Sequence, residues 1–324
     1  MPFIKHWQEI AGSIAHVIFL RDWMKDNTET KEESYMSKTI LITGTSNGFG
    51  KDAAITLATA GHQVFASMRD LSGRNRGAAD DLRSKGIEAL ELDVTNDVSV
   101  GAAFSELYRK TGGKLDVLIN NAGLFAQGIS ETYTPEQVRE MFEVNVVGIQ
   151  RVTRAALPDM RKQRSGLIIN IGSILGRVTI PFIGLYGASK FAVEALTESY
   201  RYELSQLGVD VVLVQPSAYP TGLYSATQQP ADAGRAQEYG EIATLPGAFV
   251  QFLSRVFSSA EAPDSHDVAK ELVKLVETPA GQRPDRLIVG AGYGADAVNV
   301  AVQPIQAQMI SGIGFDGLTK LNVQ

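Results

Sequence analysis

Short apolar, β-branched runs alternate with longer amphipathic stretches between residues 39 and 289. Thr39–Thr43 reads Thr-Ile-Leu-Ile-Thr, apolar on both faces, as expected of a strand buried from both sides in a parallel sheet. Gln63–Met68, Ile87–Leu92, Leu115–Ile119, Gly166–Ile171, Val209–Gln215 and the short Arg286–Val289 read as further strands. Between them helical patterns cover Lys51–Ala60, Asn96–Thr111, Pro135–Lys162 with a break near Gly148, Leu185–Leu207 and His266–Glu277. Repeated β-α units of this kind predict an α/β fold, a doubly wound parallel sheet of about seven strands with helices on both faces. In such sheets ligands lie beyond the carboxyl ends of the strands, and the polar motifs of this chain fall there.

The first strand runs straight into Gly44-Thr45-Ser46-Asn47-Gly48-Phe49-Gly50 and then into a helix. Strand, glycine-rich turn and helix in that order form the context of a dinucleotide site. Gly44 permits the tight turn, Gly48 lets backbone approach a pyrophosphate, and Gly50 allows the helix to pack closely on the strand. The helix N-terminus then offers free N–H groups to the phosphates. The second strand ends in Ser67-Met68-Arg69, with no carboxylate at its tip for the ribose hydroxyls of NAD. A guanidinium follows instead, which suits a 2′-phosphate, so NADP(H) is the expected cofactor. Asp70 stands beside Arg69 in the sequence and is placed to neutralise it in part.

At the other end of the fold, Tyr186-Gly187-Ala188-Ser189-Lys190 opens a helix, and Ser173 lies 13 residues upstream at the end of the fifth strand. The i, i+4 spacing puts phenol and ammonium on one helix face. A free phenol titrates near pH 10 and is a poor proton shuttle at neutral pH. A neighbouring ammonium is expected to lower that value by about 1–3 units. A hydroxyl such as Ser173 then holds a substrate oxygen against the phenol, an arrangement suited to acid–base chemistry at a carbonyl or alcohol.

Thr43-Gly44-x-x-x-Gly48-x-Gly50, Asp93, Asn120-Asn121-Ala122-Gly123, Asn145, Ser173 and Tyr186-x-x-x-Lys190 follow one another in family order. Together they resemble the short-chain dehydrogenase/reductase family, a Rossmann-type fold, in its single-domain oxidoreductase branch, over roughly Lys38 to Gly290. The resemblance implies Tyr186 as proton donor or acceptor and Ser173 as ligand of the substrate oxygen. It makes Lys190 both ribose ligand and activator of Tyr186, while Asn145 holds a water linking Lys190 to solvent. Asp93 contacts the adenine and Asn121 the adjacent ribose region. The implied cofactor set is Gly44, Ser46, Asn47, Gly48, Phe49, Gly50, Arg69, Asp93, Val94, Asn121, Ala122, Gly123, Pro216, Tyr219 and Thr221, together with Tyr186 and Lys190. One departure stands out: Pro216-Ser217-Ala218-Tyr219-Pro220-Thr221 replaces the usual Pro-Gly-x-x-x-Thr that cradles the nicotinamide amide. Gly172, where the family commonly has serine, reads as harmless.

The look of the Tyr186 segment and the apolar stretch that follows the sixth strand is nearest to hydroxysteroid and retinol dehydrogenases. It implies a carbonyl or secondary alcohol on a lipophilic small molecule and a homodimer or homotetramer. Two other readings share the fold or the site. Sugar-nucleotide epimerases and dehydratases usually carry a different glycine spacing, and non-catalytic NADP-sensing regulators tend to lose the tyrosine.

With 36 acidic and 30 basic residues the net charge is −6, which gives no reason to expect nucleic acid. The chain has no cysteine, consistent with a reducing, cytoplasmic setting, and four scattered histidines without ligand spacing, so no metal is assigned. Residues 1–37 read as an N-terminal extension and 38–324 as one domain, with a lid at 217–265 and a tail at 291–324. Ile10–Leu20 is apolar but too short to span a bilayer. Met36 reads as an alternative start that would make the leader non-native, and an amphipathic surface helix is the other reading.

Overall fold

The apolar runs become β1 (Thr39–Thr43), β2 (Gln63–Met68), β3 (Glu88–Glu91), β4 (Val117–Asn120), β5 (Gly166–Ile171), β6 (Val209–Pro216) and β7 (Arg286–Val289) in a computed structural model that describes residues 36–323. All neighbours pair in parallel, in the order β3-β2-β1-β4-β5-β6-β7. The chain therefore reverses direction across the sheet between β1 and β4, and a switch point of this kind leaves a crevice beyond the strand ends. Side chains alternate between the faces: Ile40 and Ile42 join one core with Leu57 and Leu272, whereas Leu41 joins the other with Phe104 and Met160.

The helices are α1 (Gly48–Thr59), α2 (Arg76–Ser84), α3 (Asp97–Thr111), α4 (Pro135–Phe142), α5 (Gly148–Gln163), α6 (Gly184–Ser205), α7 (Leu245–Phe257), α8 (His266–Glu277) and α9 (Ala295–Gly312). Local chemistry explains several starts. Asn96 caps α3 by accepting from Ser99 N at 3.0 Å, and Thr134 with Gln137 forms a capping box ahead of Pro135. The expected helix Pro135–Lys162 breaks as anticipated before Gly148, but through a π-turn over Glu143–Val147. A Cβ on Gly148 would stand 2.9 Å from Val94, so glycine lets α5 close onto the β3–α3 connection.

Three parts of the chain differ from expectation. Helix α2 is only 9 residues long and presents Ala79 and Leu82 to the core, with Leu82 its single large apolar side chain, so its pattern is too short to stand out in the sequence. The expected tail contains α9, whose buried contact is Ala295 and whose sequence is interrupted by Pro304. Residues 217–265 form a folded cap: a helical turn at Gly222–Ser225, 3₁₀ turns over Ala233–Thr244 kinked at Gly240, and α7. The cap is tied down by Gln228 N donating to Phe125 O (2.8 Å) and by Gln127 Nε2 donating to Pro246 O (3.0 Å). The expectations for residues 1–35, the apolar Ile10–Leu20 among them, lie outside the described residues. Among the described residues no helix is long and apolar enough to cross a membrane.

Candidate active site

The turns after β1 and β4 are locked together at the switch point. Thr43 Oγ1 accepts from Asn121 N (3.0 Å) and Ala122 N (3.1 Å), and Asn121 Nδ2 donates to Thr43 O (2.8 Å) and Gly44 O (2.9 Å). Gly44 has φ +70, and a Cβ there would lie 2.7 Å from Ala122 Cα. A Cβ on Gly50 would fall 2.4 Å from both Gly44 O and Asn121 Nδ2. Glycines at these positions let the two turns and α1 close on one another, which sets the N-terminus of α1, where phosphates are favoured, at the switch point. The Asn121 amide is engaged inside the protein, so its part in the site is to shape these turns.

The loop after β6 arches over the same turn. A Cβ on Gly48 would sit 3.6 Å from Thr221, and one on Gly222 would sit 3.1 Å from Asn47 Oδ1. Ser217 stays out of the left-handed region and its N–H donates to Val289 O at 2.9 Å, so serine is accommodated without backbone strain where the family has glycine. Two residues of the expected cofactor set point elsewhere. Tyr219 is only 2% exposed and packs edge-on to Phe49 with ring centres 5.6 Å apart. Val94 is buried against α3 and α5. Gly172 is less neutral than its sequence suggests, because a Cβ would meet Leu213 at 3.0 Å.

At the tip of β2, the Arg69 side chain is 47% exposed and pairs with Asp93 Oδ2 at 3.8 Å. Asp70 is not its partner. That residue has φ +54 and turns its carboxylate to the N–H of Arg74 (2.9 Å). Burial opposes the charge on Asp93, but hydrogen bonds from Thr95, with Arg69 and Arg151 nearby, hold its carboxyl below the usual range.

Ser173 ends the β5 segment in extended backbone, and its Oγ accepts from Leu175 N at 3.1 Å. Helix α6 starts two residues before Tyr186, so Tyr186 and Lys190 occupy successive turns of one face, as the spacing predicts. All three are buried at the edge of the crevice, with exposures of 7% for Ser173 and Tyr186 and 6% for Lys190. Lys190 Nζ donates to Ile171 O at 2.7 Å and lies 5.6 Å from the centre of the Tyr186 ring. Asn145 is pinned by its side chain: Oδ1 accepts from Leu124 N (2.7 Å), and Nδ2 donates to Leu124 O (3.0 Å) and Ser189 Oγ (2.9 Å). Its amide therefore braces the β4 loop against α6.

The protonation states correct another expectation. Burial pushes the Tyr186 phenol up, the nearby Tyr224 phenol adds to that, and the Ser173 hydroxyl offsets part of it. Burial pulls Lys190 down to about 8, against the opposing charge of Glu194. Lys190 does not prevail over burial here, because its ammonium is directed to a backbone carbonyl while the phenol sits among rings.

Those rings lead away from the site. Tyr186 packs edge-on to Phe125 (4.9 Å), Phe125 to Tyr224 (5.1 Å), and Tyr224 lies tilted against Phe257 (5.3 Å). Tyr224 and Phe257 border a cavity of about 410 Å³ beneath the cap, lined also by Ile129, Ala243, Val250 and Leu253. No charged side chain lines it. Sequence reasoning missed Phe125, although it follows the Asn-Asn-Ala-Gly motif by two residues. No motif flagged Arg177 and Glu194, which lie four residues beyond Ser173 and Lys190 respectively. Among the described residues no cluster of side chains could hold a metal ion.

A dinucleotide cradle at the switch point, with serine, tyrosine and lysine beyond a neighbouring strand, defines a nicotinamide-type oxidoreductase. The chain belongs to the short chain dehydrogenase family, whose model matches residues 38–232. It is 40% identical over 202 residues to a 3-ketodihydrosphingosine reductase of Bacteroides thetaiotaomicron, covering 62% of this chain and 71% of that protein. It is 32% identical over 255 residues to retinol dehydrogenase 8 of Bos taurus, covering 74% of this chain and 78% of that protein. A short chain dehydrogenase/reductase from Burkholderia phymatum, solved in complex with NAD, superposes with a TM-score of 0.67 at 28% identity, covering 85% of this chain and 96% of that one.

Proposed function

We propose that this protein is an NADP(H)-dependent oxidoreductase that interconverts a carbonyl and a secondary alcohol on a lipophilic small molecule, with Tyr186 as general acid–base. The observation that carries the reading is the grouping of Ser173, hydrogen-bonded to Tyr186, and Lys190, 5.6 Å from the Tyr186 ring, at the same edge of the parallel sheet as the turn of Gly44, Gly48 and Gly50. The cradle fits a dinucleotide, and Arg69 beyond β2 offers a planar, permanently charged fork to a 2′-phosphate. When bound, the cofactor supplies or accepts the hydride. Ser173 orients the substrate oxygen towards the phenol. Tyr186, kept protonated by burial, donates its proton to that oxygen in reduction and takes one back in oxidation. Lys190, protonated below about pH 8, places a positive charge beside the phenol and offers donors to the ribose.

The cavity beyond Phe125 and Tyr224 supports a lipophilic substrate. Its roughly 410 Å³ lies within the range of about 300–1,000 Å³ common for small-molecule pockets, and its uncharged lining disfavours an ionic group. The assembly is read as a homodimer or homotetramer, as the family resemblance implies. Oxidation of NADPH with a panel of ketones tests the main reading. Tyr186→Phe is expected to bind NADPH normally and to lose at least about 10²-fold in turnover. Turnover near wild type in that variant would remove Tyr186 from the chemistry.

A further inference from the structure

One and two turns beyond Lys190, the same face of α6 carries Glu194 and Glu198, both largely buried. Glu194 accepts from Arg286 Nε (3.1 Å) and Gln215 Nε2 and forms an ion pair with the Arg177 guanidinium (Nε at 3.3 Å), and Glu198 accepts from Arg286 Nη2 (2.7 Å). Gln215 and Arg286 come from β6 and β7. Arg177 comes from the turn that begins at Ser173. That turn rests directly on α6: a Cβ on Gly176, next to Arg177, would be 2.8 Å from Glu194 Cγ and 2.9 Å from Lys190 O.

The last partner comes from α9, which lies beyond the residues matched by the family model. Asn299 Oδ1 accepts from Arg177 Nε (2.8 Å), and Asn299 Nδ2 donates to Gln215 Oε1 (2.8 Å). Three hydrogen bonds and the Arg177–Glu194 ion pair thus close a ring through Glu194, Arg177, Asn299 and Gln215, and Asn299 is the member that brings in the C-terminal helix. Buried polar rings hold their members in one geometry when every partner is present. Remove the amide and Arg177 loses its nearer acceptor, while Gln215 loses its donor.

We propose that Asn299 is a positioning residue, through which α9 holds the Ser173 turn and Glu194 in register with Tyr186 and Lys190. The proposal rests on the reading of Ser173 and Tyr186 given above. It makes the C-terminal helix part of the active-site machinery. A purely structural tie would instead cost stability and leave the chemistry of the folded enzyme alone.

The test uses the full chain, a small ketone and NADPH, with kcat, the NADPH KM and Tm measured for each variant. Asn299→Ala is expected to lower kcat about 10- to 100-fold, the scale of a small misplacement of reacting groups, with the NADPH KM within about twofold of wild type. Arg177→Lys keeps the charge but loses the forked donor, and is expected to show the same split. It serves as the second arm if Asn299→Ala does not fold. Gln206→Ala, which removes a different C-terminal tie (Gln206 Nε2 donates to Gly317 O at 2.7 Å and to Lys320 O at 3.1 Å), is expected to leave kcat unchanged. Full kcat in folded Asn299→Ala or in Arg177→Lys overturns the proposal, as does an equal loss in Gln206→Ala. Tyr186→Phe run alongside separates the two failures. If that variant is inactive while Asn299→Ala is normal, only the positioning role falls; if Tyr186→Phe is itself fully active, the underlying reading falls.

Discussion

Raising the pH from 7 to 9 is expected to strip the proton from Lys190 and weaken the hold on NADPH. Burial lowers this ammonium to about 8, so the charged form is present below that value and lost above it. A single group of that pKa is about 90% protonated at pH 7 and about 10% protonated at pH 9. If only the ammonium form engages the ribose productively, kcat/KM for NADPH, which reports ionisations of the free enzyme, falls about ninefold over that interval. Tyr186 adds no limb there, because burial pushes its phenol up, away from neutrality. The assay is kcat/KM for NADPH from pH 6 to 10, with NADPH Kd followed by fluorescence over the same range. The binding limb should persist in Tyr186→Phe, which retains the lysine, and flatten in Lys190→Arg, whose guanidinium does not titrate. A flat wild-type profile to pH 10 would refute the reasoning, and so would a limb that vanishes with the phenol.

Three further outcomes follow from the same geometry. Arg69→Ala should raise the NADPH KM about 10- to 100-fold, since a charge-assisted contact contributes about 1.5–3 kcal/mol, and leave the NADH KM nearly unchanged; a wild-type enzyme that prefers NADH would contradict the Arg69 assignment. Tyr224→Ala removes the ring between Phe125 and the 410 Å³ cavity, so kcat/KM should rise for extended apolar ketones relative to a small ketone, and an unchanged ratio would disprove the partition. Gly44→Ala combines φ +70 with a Cβ 2.7 Å from Ala122 Cα, so it should lower stability by about 1–3 kcal/mol in urea unfolding and abolish NADPH binding.

Much of this protein was legible in one dimension because its main determinants are local. Runs such as Thr39–Thr43 and Val209–Pro216 are apolar on both faces, which only a covered parallel strand accommodates. The glycines after β1 act through backbone sterics, and Tyr186 and Lys190 act through helical spacing. All of these are properties of neighbouring residues. Helix α2 is hard to read in the sequence because it is only 9 residues long with a single large core side chain, Leu82, and α9 because it buries only Ala295 and no apolar stripe forms. Tertiary structure alone decided which charges meet. Arg69 pairs with Asp93 rather than with its neighbour Asp70 because β2 and the segment after β3 end side by side, while Asp70 turns back on Arg74. It also set the titration of Tyr186 and Lys190, since desolvation depends on rings and carbonyls drawn from distant segments. The ring through Asn299 joins residues 84 and 122 positions apart in the chain, and no periodicity reports a contact that exists only once the sheet has closed.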